Sequence, residues 1–193
     1  MASEKALGLA LVISSVAAPL AAIAVAAALS GWFDVFNNAL SDLGHATRSA
    51  VAPVFNTGLS LGGLLMSIVA VKLLTRLSKT LAAILALDGY ALILVAVFDE
   101  VYGRLHFAVS VLFFALLGAA VLYYGFASKS AKLRIAALAL FTAALASWIA
   151  HLAYKTPRGA AVPELVSVIA ALPVYFHACL KAIEVPAKSQ LGT

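Results

Sequence analysis

Apolar residues run almost without a break through six stretches of the chain, 7–29, 53–74, 80–98, 105–127, 133–154 and 162–183, and polar residues collect between them. Crossing the hydrocarbon core of a bilayer as a helix takes about 20 mainly apolar residues. Each stretch therefore predicts a transmembrane helix. Four of the five connections are short, which predicts that sequential helices pack as antiparallel neighbours. The expected fold is all-α and polytopic: one integral membrane domain over 1–193, with six transmembrane helices in an antiparallel bundle. The first stretch follows Lys5 and ends near Ala26-Ala27-Ala28, as a signal peptide does. It is longer than the roughly 7–15 residues of a signal core, so it reads as a true span.

The long connection, 30–52, carries its own pattern. Phe33, Phe36, Leu40 and Leu43 recur at helical spacing, and Gly44 can end a helix. Trp32 and Phe33 suit the headgroup boundary. A short interfacial helix is expected over about 33–44, lying over the bundle as a lid.

Composition supports the bilayer and removes one alternative. Apolar residues make up 64% and charged residues 11%, too little charge to coat a water-facing surface. The net charge of +5 could invite nucleic acid, but the basic residues stand at the ends of apolar runs rather than in one patch. That is the layout of headgroup anchors, so the expected partner is the lipid bilayer and not nucleic acid. Gln is rare, and Asn and Met are scarce, which hints at a thermophilic source. The single cysteine, Cys179, sits in an apolar run and excludes both an intrachain disulfide and a CxxC metal site.

Orientation follows from Lys and Arg. One side would carry Lys5, Lys72, Arg76, Lys79, Lys129, Lys132, Arg134, Lys181 and Lys188; the other only Arg48, Arg104, Lys155 and Arg158. The richer side is expected to be cytoplasmic, with both termini inside the cell membrane. Gly58 and Gly62, with Gly63 beside them, form a GxxxG that suits close helix packing within the bundle, or alternatively a dimer seam. Pro19 and Pro173 are expected to kink the first and last helices.

The acids and histidines are unevenly placed. Asp34, Asp42, His45, Asp99, Glu100, His106, His151 and Glu164 all fall on the outer side, where Arg48, Arg104, Lys155 and Arg158 join them. Ionisable groups near hydrocarbon are costly, so those retained are functional candidates. His106 and Ser110 share a helix face, as do Ser147 and His151. Ser41, Asp42 and His45 arrive on the long loop, and Asn56 lies about one turn into the second helix. An outward-facing pocket built from Ser41, Asp42, His45, Asn56, Asp99, His106, His151 and Glu164 is the expected site. Simpler roles stand beside it: Glu164 after Pro163 favours a helix start, Asp99 or Glu100 can pair with Arg104, and Ser41 and Asp42 can shape a turn.

Three chemistries suit such a cluster. His45, Asp99, His106 and His151 could hold zinc with an open position. A carboxylate beside a histidine could move protons. Basic residues at the mouth could hold a lipid headgroup or a small polar ligand. Within the membrane, Asp88 and His177 lie at similar depth and could pair, sketching a track for protons or ions. Haem between His106 and His151 is a further option.

The stretch Asn38-Ala39-Leu40-Ser41-Asp42-Leu43-Gly44, followed by Phe55-Asn56-Thr57-Gly58-Leu59 and Gly62, resembles the uncharacterised prokaryotic membrane family called domain of unknown function 998. Asp99 with His106, and Glu164 at the start of the last helix, are similar to its pattern. The resemblance covers nearly the whole chain, implies a six-helix fold and brings no known activity. Ser41-x3-His45 with Asp99 is also similar to the alkaline ceramidase and adiponectin-receptor-like hydrolases, which resemble zinc amidases. Those have seven core helices and end with HxxxH, whereas this chain has six apolar runs and no histidine four residues from His177. A membrane protein that binds a lipid or polar ligand is the leading expectation. A metal-dependent lipid hydrolase and a proton- or ion-coupled transporter are the alternatives.

Overall fold

The structure, a computed structural model, describes residues 2–185; Lys188, counted above among the basic residues, lies outside them. Six long helices account for most of the chain: α1 (Ala2–Ser30), α2 (Ala52–Lys72), α3 (Lys79–Val97), α4 (Arg104–Ala127), α5 (Ala131–Tyr154) and α6 (Ala161–Glu184). All six are long and apolar enough to cross a membrane. Their ends follow local chemistry. The Ser78 hydroxyl accepts the Leu81 amide at the start of α3, and Ser130 does the same for Leu133 at the start of α5. Pro53 in the first turn of α2 gives up no helical hydrogen bond there.

Consecutive helices pack against one another, and α6 also touches α1 and α4. The α2–α3 contact uses glycine. A Cβ on Gly63 would overlap the Gly89 carbonyl, and one on Gly89 would overlap the Gly63 carbonyl and the Ser67 hydroxyl. Bare glycine backbones thus set the distance between α2 and α3. Gly58 meets Ala22 and Gly62 meets Pro19, both on α1. The GxxxG is therefore spent inside the chain, one face on α1 and the adjoining glycine on α3. At the opposite extreme, α5 packs on α4 and α6 and buries only Ala137.

The first loop differs from the helix expected over 33–44. Helical winding is confined to a 3₁₀ turn, Leu40–Gly44. The reason is competition for backbone groups. Asp34 Oδ1 accepts the Phe36 amide at 2.8 Å, and Asn38 Oδ1 accepts the Asp34 amide at 2.9 Å. Side chains that take up local amides draw the backbone away from a helical ladder. Leu40 and Leu43 are buried with Phe55, Ala91 and Phe113, so the turn is pinned onto the helices beneath it. Asn56 Nδ2 donates to the Gly44 carbonyl at 2.9 Å and closes the far side of the turn.

Three connections gather at one end of the molecule. The Gly159 amide donates to the Phe36 carbonyl at 2.8 Å, and the Ala161 amide to the Asn38 carbonyl at 3.0 Å. The Ser41 hydroxyl donates to Glu100 Oε1 at 2.7 Å, tying the third connection to the first.

Candidate functional site

A cavity of about 1010 Å³ opens between α4, α5 and α6. It lies where α5 packs on α4 and α6 while burying only Ala137. Its walls are apolar over most of their length, with Phe114, Leu117, Val121, Leu140, Phe141 and Leu145 among them. Small residues widen it: Ala115, Gly118, Ala144 and Ala170. Polar groups are concentrated at the end where the connections gather, where His45, Arg48, Glu100, His106, His151 and Glu164 line it.

Four of these groups, Glu100, His106, His151 and Glu164, are held by specific contacts. Glu164 stands in the first turn of α6, and its Oε2 accepts the Leu40 amide at 2.6 Å. His106, one turn into α4, has its Nδ1 on the Phe98 carbonyl at 2.8 Å. His151, at the end of α5, has its Nδ1 on the Pro157 carbonyl at 3.0 Å. A carbonyl only accepts, so both Nδ1 atoms carry hydrogen and Nε2 is left as the other edge of each ring. Ser110 approaches His106 Nε2 at 3.4 Å, as their shared face implied. The Ser147 hydroxyl instead turns back to the Ala144 carbonyl, and the neighbour of His151 on its helix is Trp148, edge-on at 6.2 Å between ring centroids. Trp148 Nε1 donates to Ser167 across the α5–α6 gap at 2.9 Å, and Ser167 donates to the Pro163 carbonyl.

Glu100 is the residue that sequence reasoning undervalued. It is neither a spectator nor simply a partner for Arg104. Its carboxyl takes the Ser41 hydroxyl and lies beside the Asp42 carboxyl and near Arg48. Burial, reinforced by Asp42 and opposed by Ser41 and Arg48, pushes its pKa up to about 7. By contrast, the Phe36 amide and the Asn37 side chain hold the exposed Asp34 carboxyl below its ordinary range. Trp148 was missed as well; its three-residue spacing from His151 was the available signal.

The expected cluster therefore converges in part. Ser41, His45, His106, His151 and Glu164 line the cavity. Asp42, Asn56 and Asp99 do not; their side chains are taken up by the backbone. Asp42 Oδ2 accepts the Ala39 amide and the Asn38 side chain. Asp99 Oδ1 accepts the Val101 amide at 2.8 Å. Of the four basic residues expected at the mouth, only Arg48 lines the cavity. Among the described residues no three His, Cys, Asp or Glu side chains approach closely enough to form a metal cluster.

The expected pairing of Asp88 with His177 is corrected. His177 Nδ1 bonds the Tyr124 hydroxyl at 2.8 Å, on α4 rather than α3. Asp88 is fully buried, and neither of its carboxyl oxygens has a hydrogen-bond partner among the described residues. Counting residues along two helices says nothing of which neighbour each side chain faces.

A six-helix chain of this hydropathy, with a cavity between three of its helices, is a multi-pass membrane protein. It belongs to the family described as protein of unknown function (DUF998), whose sequence model matches residues 12–181. Comparison with curated proteins and with solved structures gives no match.

Proposed function

We propose that this protein binds an amphiphile in the cavity between α4, α5 and α6. The head would lie among His45, Arg48, Glu100, His106, His151 and Glu164, with the apolar tail along α4 and α5. The carrying observation is the shape and polarity of that space: about 1010 Å³, apolar along its length and polar at one end. A drug-sized ligand pocket runs to roughly 300–1,000 Å³, so the space suits something as large as a lipid. The thinly packed α5 supports lateral entry from the bilayer. On this reading the helices form an antiparallel bundle in the cell membrane. The termini are cytoplasmic, as the Lys and Arg imbalance favours, and the polar end with its Leu40–Gly44 turn lies at the outer interface.

The direct test fills the cavity. Detergent-purified protein should carry a lipid adduct in native mass spectrometry, and Ala144→Phe and Ala170→Phe should each remove it. Adducts that persist in both folded variants would sink the proposal.

A second reading rests on Asp88. A carboxyl buried in a span with no hydrogen-bond partner among the described residues is costly and is the kind of group through which a proton- or ion-coupled transporter works. Proton flux in liposomes that is unchanged by Asp88→Asn would dismiss it.

A further inference from the structure

The hydrogen-bonding valences left open in the cavity are unequal, and the imbalance points to the ligand's chemistry. Consider first the donors at the polar end. The Ser41 hydroxyl is spent on Glu100. Ser110 leans toward His106, Trp148 Nε1 is spent on Ser167, and Ser167 on the Pro163 carbonyl. The Arg48 guanidinium lies close enough to Glu100 to favour its ionised form. Both histidines use Nδ1–H on backbone carbonyls, Phe98 and Pro157.

Now consider the acceptors. In a neutral ring with Nδ1 protonated, Nε2 is a lone pair. His151 Nε2 has no partner among the described residues, and His106 Nε2 has only the long 3.4 Å contact with Ser110. Glu164 uses Oε2 on Leu40, which leaves Oε1 with no partner among the described residues. Three acceptors from three helices thus face one space, while the Ser41, Trp148 and Ser167 donors beside them are engaged and the Arg48 guanidinium lies toward Glu100. Water can satisfy them when the cavity is wet, but a ligand that displaces water must bring its own donors or leave them unpaired.

Resting on the amphiphile reading, we infer that the headgroup recognised here is a hydrogen-bond donor, a primary ammonium or a hydroxyl-bearing head, and that His106, His151 and Glu164 read it. A head of the same charge stripped of N–H and O–H groups fits the same volume but leaves the acceptors unmet.

The test uses lipids with identical acyl chains against delipidated wild-type protein at pH 8. Phosphatidylethanolamine, its monomethyl and dimethyl forms and phosphatidylcholine keep the phosphate and the positive charge while losing one donor at each step. Phosphatidylglycerol offers hydroxyls without an ammonium. Binding is read by native mass spectrometry. The dissociation constant is expected to rise along the methyl series, by on the order of tenfold or more from first to last. Phosphatidylglycerol binding near phosphatidylethanolamine extends the class to hydroxyls; binding near phosphatidylcholine restricts it to ammonium. Equal affinity for phosphatidylcholine, phosphatidylethanolamine and phosphatidylglycerol overturns the donor inference and leaves the cavity reading standing. Absence of binding by every lipid, or binding that Ala144→Phe does not reduce, overturns both.

Discussion

The Leu40 amide donates to Glu164 Oε2 at 2.6 Å, joining the first loop to the first turn of the last helix. Its neighbours are two backbone bonds, Gly159 to Phe36 and Ala161 to Asn38. A Cβ on Gly159 would overlap the Asn38 backbone, so glycine is required for the two segments to lie flush. Glu164 is thus a structural strut and a wall of the cavity at once.

The two roles separate by substitution. Glu164→Gln retains a carbonyl oxygen for the Leu40 amide. Glu164→Ala leaves that buried amide unpaired, which costs about 1–3 kcal/mol. Thermal unfolding in detergent should rank wild type and Glu164→Gln close together, with Glu164→Ala clearly lower. Equal melting temperatures for the Gln and Ala variants would show that the strut does not bear on stability.

The α2–α3 contact makes a sharper demand. Gly63→Ala drives a methyl into the Gly89 carbonyl, and overpacking of this kind costs about 1–3 kcal/mol. Gly31→Ala is the contrasting case for space, because no described residue lies near its Cβ position, although its positive φ adds strain of its own. Resistance to unfolding in mixed micelles should fall for Gly63→Ala, while binding of any cavity ligand should change little, because Gly63 lies away from α4–α6.

Glu100 predicts a pH dependence. Its pKa is about 7 in the folded protein against an ordinary value of 4.5. The folded state therefore holds the proton more tightly than the unfolded state. The stabilisation is fully present below about 4.5 and is lost as pH rises through about 7. Melting temperatures measured from pH 5 to pH 8 should decline across this window, and Glu100→Gln should flatten the decline. An unchanged slope in Glu100→Gln would assign it to other groups.

Orientation is testable because the only native thiol is buried. In intact cells, a membrane-impermeant maleimide should label Arg158→Cys and fail to label Ser130→Cys until the membrane is opened. The reverse pattern would invert the topology.

The spans were legible from hydropathy because lipid forces every backbone group to be paired within its own helix, which leaves length and apolarity as sufficient signals. The Gly58, Gly62 and Gly63 packing and the shared face of His106 and Ser110 were legible for similar reasons: helical periodicity is local. The first loop was not. Phe33, Phe36, Leu40 and Leu43 kept helical spacing, but Asp34 and Asn38 captured the amides a helix would have used. Asp99, Asn56 and Asp42 looked like site residues because their type and side were right, yet each serves nearby backbone. Glu100 gained its place from a tertiary contact with Ser41, which no spacing along the chain encodes. Asp88 and His177 failed as a pair because counting along a helix gives depth and says nothing of which neighbour a side chain meets.

The seam between the first loop and α6 also bears on the order of assembly. Helices α2 to α5 can each pair with the helix before them as they leave the ribosome, since those contacts are between sequence neighbours. The amide of Leu40 has to wait for Glu164, 124 residues later. Until the last helix inserts, the polar end stays open and its backbone groups must be held by water, so a nascent chain halted after α5 would be inserted in the bilayer yet unsealed.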